Sequence, residues 1–445
     1  MDSHALISGP ITRQLTKLAF PLLLGNILQQ LYNMIDALIL GWFNGSDAFG
    51  AVGIGGTVMN LFLFVLIGAC TGVCVILSHL YGRNDLKTFH REFFHAIFFG
   101  GLFTVLISVV FIFLSEPLLR LIQTPDYLVG LTQSYLQIIL GCLLVCFAYN
   151  LFAAVLRAVG DTFATLIFLG VSIFTNLALD IWFVAGLSLG IAGAAWATVL
   201  SQFIAATLSA IYLKKQYPQL MIHREDICID LSLLLQTIRF ASASALQQAS
   251  IYIGKLLVQG VVNSLGSASI NAYTAATRIE AFANSFGDSG SAAESIFIGQ
   301  NIGAGNYTRA KNGSRNSFRM MVVLGVFMTF LLFLSAIPLC NWLLPKDDAT
   351  SLAPAVYYLR IVALFYPLCF IGCANVGYFQ GTGHINIPTI CSALQLSLRV
   401  ILSWLLTGEM GLSGVALATG VGWALAVSIH LFAKQRLPIC QQVVK

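Results

Sequence analysis

Asn176 and Asp180 stand four residues apart inside FLGVSIFTNLALDIWFVAGL, a stretch otherwise almost wholly apolar. One helical turn separates them, so an amide and a carboxylate share a face. A second carboxylate, Asp36, ends a polar stripe in LLGNILQQLYNMIDALIL, where Asn26, Gln29, Asn33 and Asp36 recur at helical spacing. Ionisable groups in apolar spans are costly and mark ion or proton paths. Carboxylates so placed can take up a proton, or hold Na⁺ through hard oxygen ligands helped by Asn176 and Thr198. The membrane potential drives either cation inward at about 2.3 kcal/mol per elementary charge per 100 mV, which can power outward transport of something else.

The elements that position these residues are membrane helices. The chain has 445 residues, 58% hydrophobic and 9% charged, where soluble domains are roughly a quarter charged. This is an all-α polytopic membrane protein. At roughly 20 apolar residues per crossing, the sequence predicts about twelve transmembrane helices, near 15–42, 50–79, 92–114, 131–153, 162–184, 190–213, 236–262, 268–300, 316–338, 354–378, 386–407 and 411–433. Basic residues such as Arg83, Lys87, Lys214, Lys215, Arg309, Lys311, Lys434 and Lys445 then fall on one side, with Arg120 and Lys346 on the other. The positive-inside rule places both termini in the cytoplasm, and the membrane expected is a bacterial cytoplasmic (inner) one. Counted from the turns, Asp36, Asp180 and Thr198 lie at similar depth in its outer half and converge on one pocket.

The chain also repeats itself. YLQIILGCLLVCF from Tyr135 matches YLRIVALFYPLCF from Tyr358, GIAGAAWAT at 190–198 matches GLSGVALAT at 411–419, SEPLL around Pro117 matches AIPLC around Pro338, and LYGRN around Gly82 matches NIGAG around Gly303. The shift stays between 221 and 223 residues. The expected organisation is an N-lobe six-helix bundle (1–213), a cytoplasmic linker (214–235) and a C-lobe six-helix bundle (236–445). Units with an even number of spans make parallel repeats around a central cavity, the architecture of alternating-access carriers.

The repeat is unequal in its charges. The partner of Asp180 is Ser403, that of Asn176 is Arg399, and that of Asp36 is Gly254 or Leu257. The second half instead carries Lys255, Arg278, Glu280, Asp288, Glu294 and Arg399, read as interhelical ion pairs or as a second coupling or substrate site. Cysteines spaced CxxxC, such as Cys70/Cys74, read as small packing residues. GAVGIGG at 50–56 reads as close helix packing. His79, His90 and His95 lack ligand spacing and read as surface histidines. Phe147, Tyr149 and Phe152 could line an apolar cavity. Asn44 begins a glycosylation sequon, given little weight because nothing in the sequence marks a eukaryotic source.

The Asp36 span with Pro21 upstream, NLALD, GIAGAAWAT, SHLYGRN and its echo GQNIGAGN resemble the multidrug and toxic-compound extrusion (MATE) family, in particular its DinF-like branch, over essentially the whole chain. The resemblance implies an antiporter expelling organic, often cationic or amphipathic, compounds in exchange for H⁺ or Na⁺. It implies an N-lobe cation site at Asp36, Asn176, Asp180 and Thr198, and a helix-bending role for Pro21. The NorM-like branch uses acids of the seventh and tenth spans for Na⁺; Lys255, Cys373 and Asn375 stand there instead. The alternative is a lipid-linked glycan flippase of the same superfamily. No enzyme motif is present, and no cofactor is expected beyond the coupling ion. The partners expected are drug-like substrates and membrane lipids, with no nucleic acid, and the chain is expected to act as a monomer.

Overall fold

The computed structural model describes residues 6–122, 124–344, 349–437 and 439, with side-chain detail except at 33, 34, 36–50 and 349. The side chains of Asn33, Asp36 and Asn44, and the positions Lys346 and Lys445, therefore lie outside the described residues. The described chain is helical throughout: α1 (Ile11–Arg83), α2 (Leu86–His95), α3 (Gly101–Leu121), α4 (Asp126–Gly141), α5 (Leu143–Ala158), α6 (Thr162–Asp180), α7 (Gly190–Gln216), α8 (Leu231–Asn263), α9 (Ser267–Gly303), α10 (Tyr307–Leu343), α11 (Ala349–Leu364), α12 (Tyr366–Gly381), α13 (Asn386–Met410) and α14 (Leu412–Arg436). Among the described residues, seven helical segments are long and apolar enough to cross a membrane, nine if each of two bent pairs is one span. Phe113, Leu334 and Trp404 are exposed on them, as lipid-facing side chains should be.

The sequence predicts a break between residues 42 and 50, whereas the backbone of α1 is helical from Ile11 to Arg83. Its packing shows that the run reverses. Gly25 lies on Leu166 and Leu169 near the start of α6, and Tyr32 meets Asn176 near its end. Gly55 lies on Thr132 and Tyr135 of α4, and Gly68 and Gly72 on the backbone of α8 at Ser244 and Phe240. A straight helix would set Gly25 and Gly72 about 70 Å apart. Both instead sit toward the segment joining α7 to α8, so the chain turns back between Tyr32 and Gly55 and crosses twice.

The repeat is written into the backbone. The α4–α5 pair bends by 48° and α11–α12 by 53°, at Cys142 and Phe365. Left-handed residues recur at the same register: Asn84 with Gly305, Gly160 with Gly383, and Gly190 with Gly411. Pro117 and Pro338 lie inside α3 and α10. Each unit thus repeats its turns as well as its spans.

The chain clusters into two compact units, residues 24–245 and residues 1–23 with 246–445. Side chains explain why the ends of helices fall where they do. The Arg309 guanidinium donates to the carbonyls of Leu6, Ser8 and Gly9 and to Gln14 Oε1, and Asn301 donates to Leu6 O, which fastens the N-terminal segment to the second unit. In the first unit Thr237 donates to the buried Glu92 at 2.7 Å, fastening the start of α8 to α2.

Asp161 is the main polar anchor at the start of α6. It caps the helix by accepting from Ala164 N–H at 3.1 Å and accepts from Tyr212 Oη and Tyr217 Oη at 2.9 Å each. Burial, reinforced by the Asp161 carboxyl, pushes the Tyr217 phenol above its ordinary value. Asp161→Ala orphans two hydroxyls and a helix N–H, each costing about 1–3 kcal/mol where buried. The expected result is a melting temperature lower by several degrees, read by fluorescence-detected thermal unfolding in detergent.

One expectation is corrected here. His90 and His95 are buried, not surface residues, because the segment after α7 folds back over α2. His90 bonds Asp226 and the Gln219 carbonyl, partners too distant in sequence for spacing to reveal. Phe147 is buried against Gly100, and the half-buried Phe152 meets Phe93 edge-on at 6.4 Å.

Candidate functional site

The first unit brings Asn176, Asp180 and Thr198 together. α6 starts at the Asp161 cap and carries an almost unbroken apolar outer face, so its polar residues Ser172, Asn176 and Asp180 all turn inward and are buried. α7 returns after a tight turn with left-handed Ser188 and Gly190, which sets Thr198 beside Asn176. The neighbours of the Asn176 amide assign its orientation. Its nitrogen donates to Asp180 Oδ2 and to Tyr32 Oη, both at 2.8 Å, and its oxygen accepts from Thr198 N–H at 3.1 Å. Thr198 Oγ1 donates to the Ala194 carbonyl at 3.0 Å.

Two features escape a reading of composition. Tyr32 was absent from the polar stripe, although it lies three residues after Gln29 and four before Asp36; its ring reads as apolar until the hydroxyl is given a partner. Asp180 is followed at once by a π-helical segment, Ile181–Gly186. Such wide turns insert an extra residue per turn and recur at functional sites. Position 36 lies on the α1 backbone one turn beyond Tyr32, and Pro21 lies inside α1. Gln29 is half-buried.

The charged residues of the second unit divide into two groups. In one, the half-buried Arg399 donates to Tyr273 Oη at 3.4 Å, and Tyr273 meets Tyr358 edge-on at 5.5 Å. Glu280 and Tyr358 lie within electrostatic reach of this guanidinium, and Lys255 within reach of Asp288, Arg399 and Glu280. Glu280 is buried, whereas Lys255, Arg278 and Asp288 are exposed. Among the described residues no direct ion pair joins any of the six charged residues to another. In the other group Glu294, buried on α9, accepts from Ser317 Oγ at 2.5 Å. Lys434 donates to Ser314 Oγ at 3.1 Å and sits 4.1 Å from the Tyr378 ring centre.

Charges in the middle of a span face water or protein, since lipid cannot solvate them, and Lys255 and Asp288 lie within electrostatic reach of each other on the second unit. A cavity of about 630 Å³ lies elsewhere, lined by Ile7, Ile11, Tyr307 and Arg309. The Arg309 guanidinium donates four hydrogen bonds to the N-terminal segment. Among the described residues no cluster of three metal-ligating side chains occurs.

With fold and geometry in place, comparison with known proteins decides the family. The MatE family model matches this chain twice, over residues 21–182 and 243–405, one match per repeat. The chain belongs to the MatE family. Its members are membrane transporters and not enzymes, and the MatE repeat accounts for the matched bends and left-handed turns described above. The probable multidrug resistance protein YpnP of Bacillus subtilis is 27% identical over 427 residues, 95% of this chain and 94% of its own. The probable multidrug resistance protein NorM of Thermotoga maritima is 25% identical, covering 87% of this chain and 83% of its own. In fold, the chain is similar to an outward-facing multidrug resistance MATE transporter of the MOP superfamily, with a TM-score of 0.91 at 20% identity and 98% of each chain covered.

Proposed function

We propose that this MatE protein is a secondary active exporter of small organic, cationic or amphipathic compounds, driven by an inward cation gradient read at Asp180 and Asp36 with Asn176 and Thr198. In this reading it works as a monomer of the DinF-like kind in a bacterial inner membrane, with both termini cytoplasmic. The single observation that carries the reading is the carboxylate of Asp180, 1% exposed, held in the interior of the first unit by the Asn176 amide. The names of the relatives above support multidrug cargo.

The amide orientation favours H⁺ over Na⁺ as the coupling ion. With its nitrogen toward Asp180, Asn176 donates to the carboxylate. A proton can join the second carboxylate oxygen without disturbing that bond, whereas Na⁺ needs the amide oxygen turned inward, at the expense of the bonds to Tyr32 and Thr198 N–H. Ethidium efflux from proteoliposomes under separately imposed pH and Na⁺ gradients tests this. The expected result is efflux driven by the pH gradient. Efflux driven by Na⁺ alone would overturn the choice of ion, and no dye movement under either gradient would favour the flippase.

Tyr32→Phe removes the hydroxyl that accepts from Asn176, a bond worth about 1 kcal/mol. Its expected effect is a shift of about 0.7 unit in the pH at which dye efflux is half-maximal, with transport retained.

A further inference from the structure

His90 meets an acceptor at each ring nitrogen. Nδ1 lies 2.9 Å from Asp226 Oδ2, and Nε2 lies 2.8 Å from the carbonyl oxygen of Gln219. A neutral imidazole has one N–H and can serve only one of them; the doubly protonated ring serves both. The ring is buried between α2 and the segment 217–230 that joins the two repeats. We propose that His90 is a proton-binding site whose charged form latches this connecting segment to α2, and that loss of the proton frees residues 219–230.

The surroundings are built for such a latch. From the connecting segment, Asp226 and His223 face the ring, the latter edge-on at 5.4 Å, with Arg224 and Glu225 exposed beside them. Asp226 also accepts from His223 N–H, closing a capping box over the short turn Arg224–Asp226. On α2 itself Arg91, Glu92 and His95 flank the site, and from α8 Thr237 occupies Glu92. His95 gives a second hold: its Nε2 lies 3.2 Å from the Cys228 carbonyl and 3.3 Å from Asp230 N–H. That nitrogen can bond either neighbour, according to whether it carries a proton. Connection through a pinned segment is a shorter tether than connection through a free one, so the latch sets how much slack joins the repeats.

The sign of the pH dependence follows from both partners. Burial raises the Asp226 carboxyl, but the bonds from the His90 ring and the His223 N–H outweigh it and leave the group below its ordinary value. The Asp226 contribution is therefore present above the ordinary carboxylate value and lost as pH falls through the lowered one. At the other end, a His90 ring carrying a single N–H keeps only one of its two bonds. The segment is held between these limits and loosens as pH rises.

Cys228, half-buried in the segment, supplies the readout and keeps the test independent of transport. Purified protein in nanodiscs is labelled with a maleimide across pH 5.5 to 9, modification at Cys228 is quantified by peptide mass mapping, and each rate is normalised to the same thiol in denatured protein. The expected result is a rise of about tenfold toward alkaline pH, the effect of one charge-assisted hydrogen bond. His90→Phe should label fast at every pH, and His95→Gln should keep the rise. Asp226→Asn, a near-isosteric change in the short turn Arg224–Asp226 outside the spans, should flatten the rise toward the fast limit even if His90→Phe fails to fold. A pH-independent wild type, or a rise unchanged in Asp226→Asn, would overturn the proposal.

Discussion

Asp180→Asn is expected to abolish gradient-driven dye efflux, lowering the initial rate at least tenfold, while the protein reaches the membrane in normal amount. The substitution preserves shape and removes only the ability to exchange a cation. Asn176 can still donate to the new amide oxygen, so the interior packing of α6 against α7 stays intact. A coupling carboxylate has to alternate between two charge states; an amide has one. Asp36→Asn is expected to give the same loss, because position 36 stands one turn beyond Tyr32 on the helix that meets Asn176. Proteoliposomes with an imposed pH gradient provide the measurement, with Tyr32→Phe as the mild control. Full efflux in both single variants would mean that these acids are neutral packing groups.

How much of this site could be read beforehand depends on the range of the interaction. Asn176 and Asp180 are one turn apart, and a four-residue spacing is visible in any sequence. Thr198 came within reach because the turn between α6 and α7 is short enough to count depth across it. Tyr32 escaped because its role is to accept one hydrogen bond from a residue 144 positions away, and nothing local marks a tyrosine for that. The histidines of α2 show the same limit more sharply. Read alone, they look like solvated residues at a helix end, and they become buried only because a polar connector, unremarkable in composition, lies back across them.

The architecture was more legible than the contacts, again for a physical reason. Spans follow from a bilayer thickness that every crossing must match, and duplicated turns keep their left-handed residues because few side chains tolerate that backbone. Gly190 and Gly411 are such a pair, each opening the helix that begins with the repeated GxxG motif. The charged residues of the second unit were legible as anomalies only. Their spacing could not distinguish direct pairing from the arrangement seen, in which Tyr273 carries the hydrogen bond from Arg399 and Glu294 belongs with Ser317.

Gly72→Leu is expected to prevent accumulation of folded protein, and Gly377→Leu to do the same from the other unit. Without a hydrophobic drive between helices inside a bilayer, spans associate through close backbone approach at small residues. Gly68 and Gly72, spaced as GxxxG, face α8 so closely that a Cβ on Gly68 would stand 2.6 Å from the Ser244 carbonyl oxygen, and one on Gly72 would overlap the Phe240 carbonyl. In the second unit Gly377 and Gly381, again GxxxG, face α9, where the added carbons would lie 2.5 Å from Ser291 O and 2.8 Å from Ser295 O. The obstacle in each case is backbone of a neighbouring helix, which cannot rotate aside as a side chain can, so the helices must part and lose contacts along their length. Gly53, with nothing within 4 Å of its added carbon, is the control: Gly53→Ala should leave yield and melting temperature unchanged. Fluorescence-detected size-exclusion profiles of the four proteins separate the outcomes, and normal monodisperse peaks for both leucine variants would show that these helices tolerate wider spacing than their contacts imply.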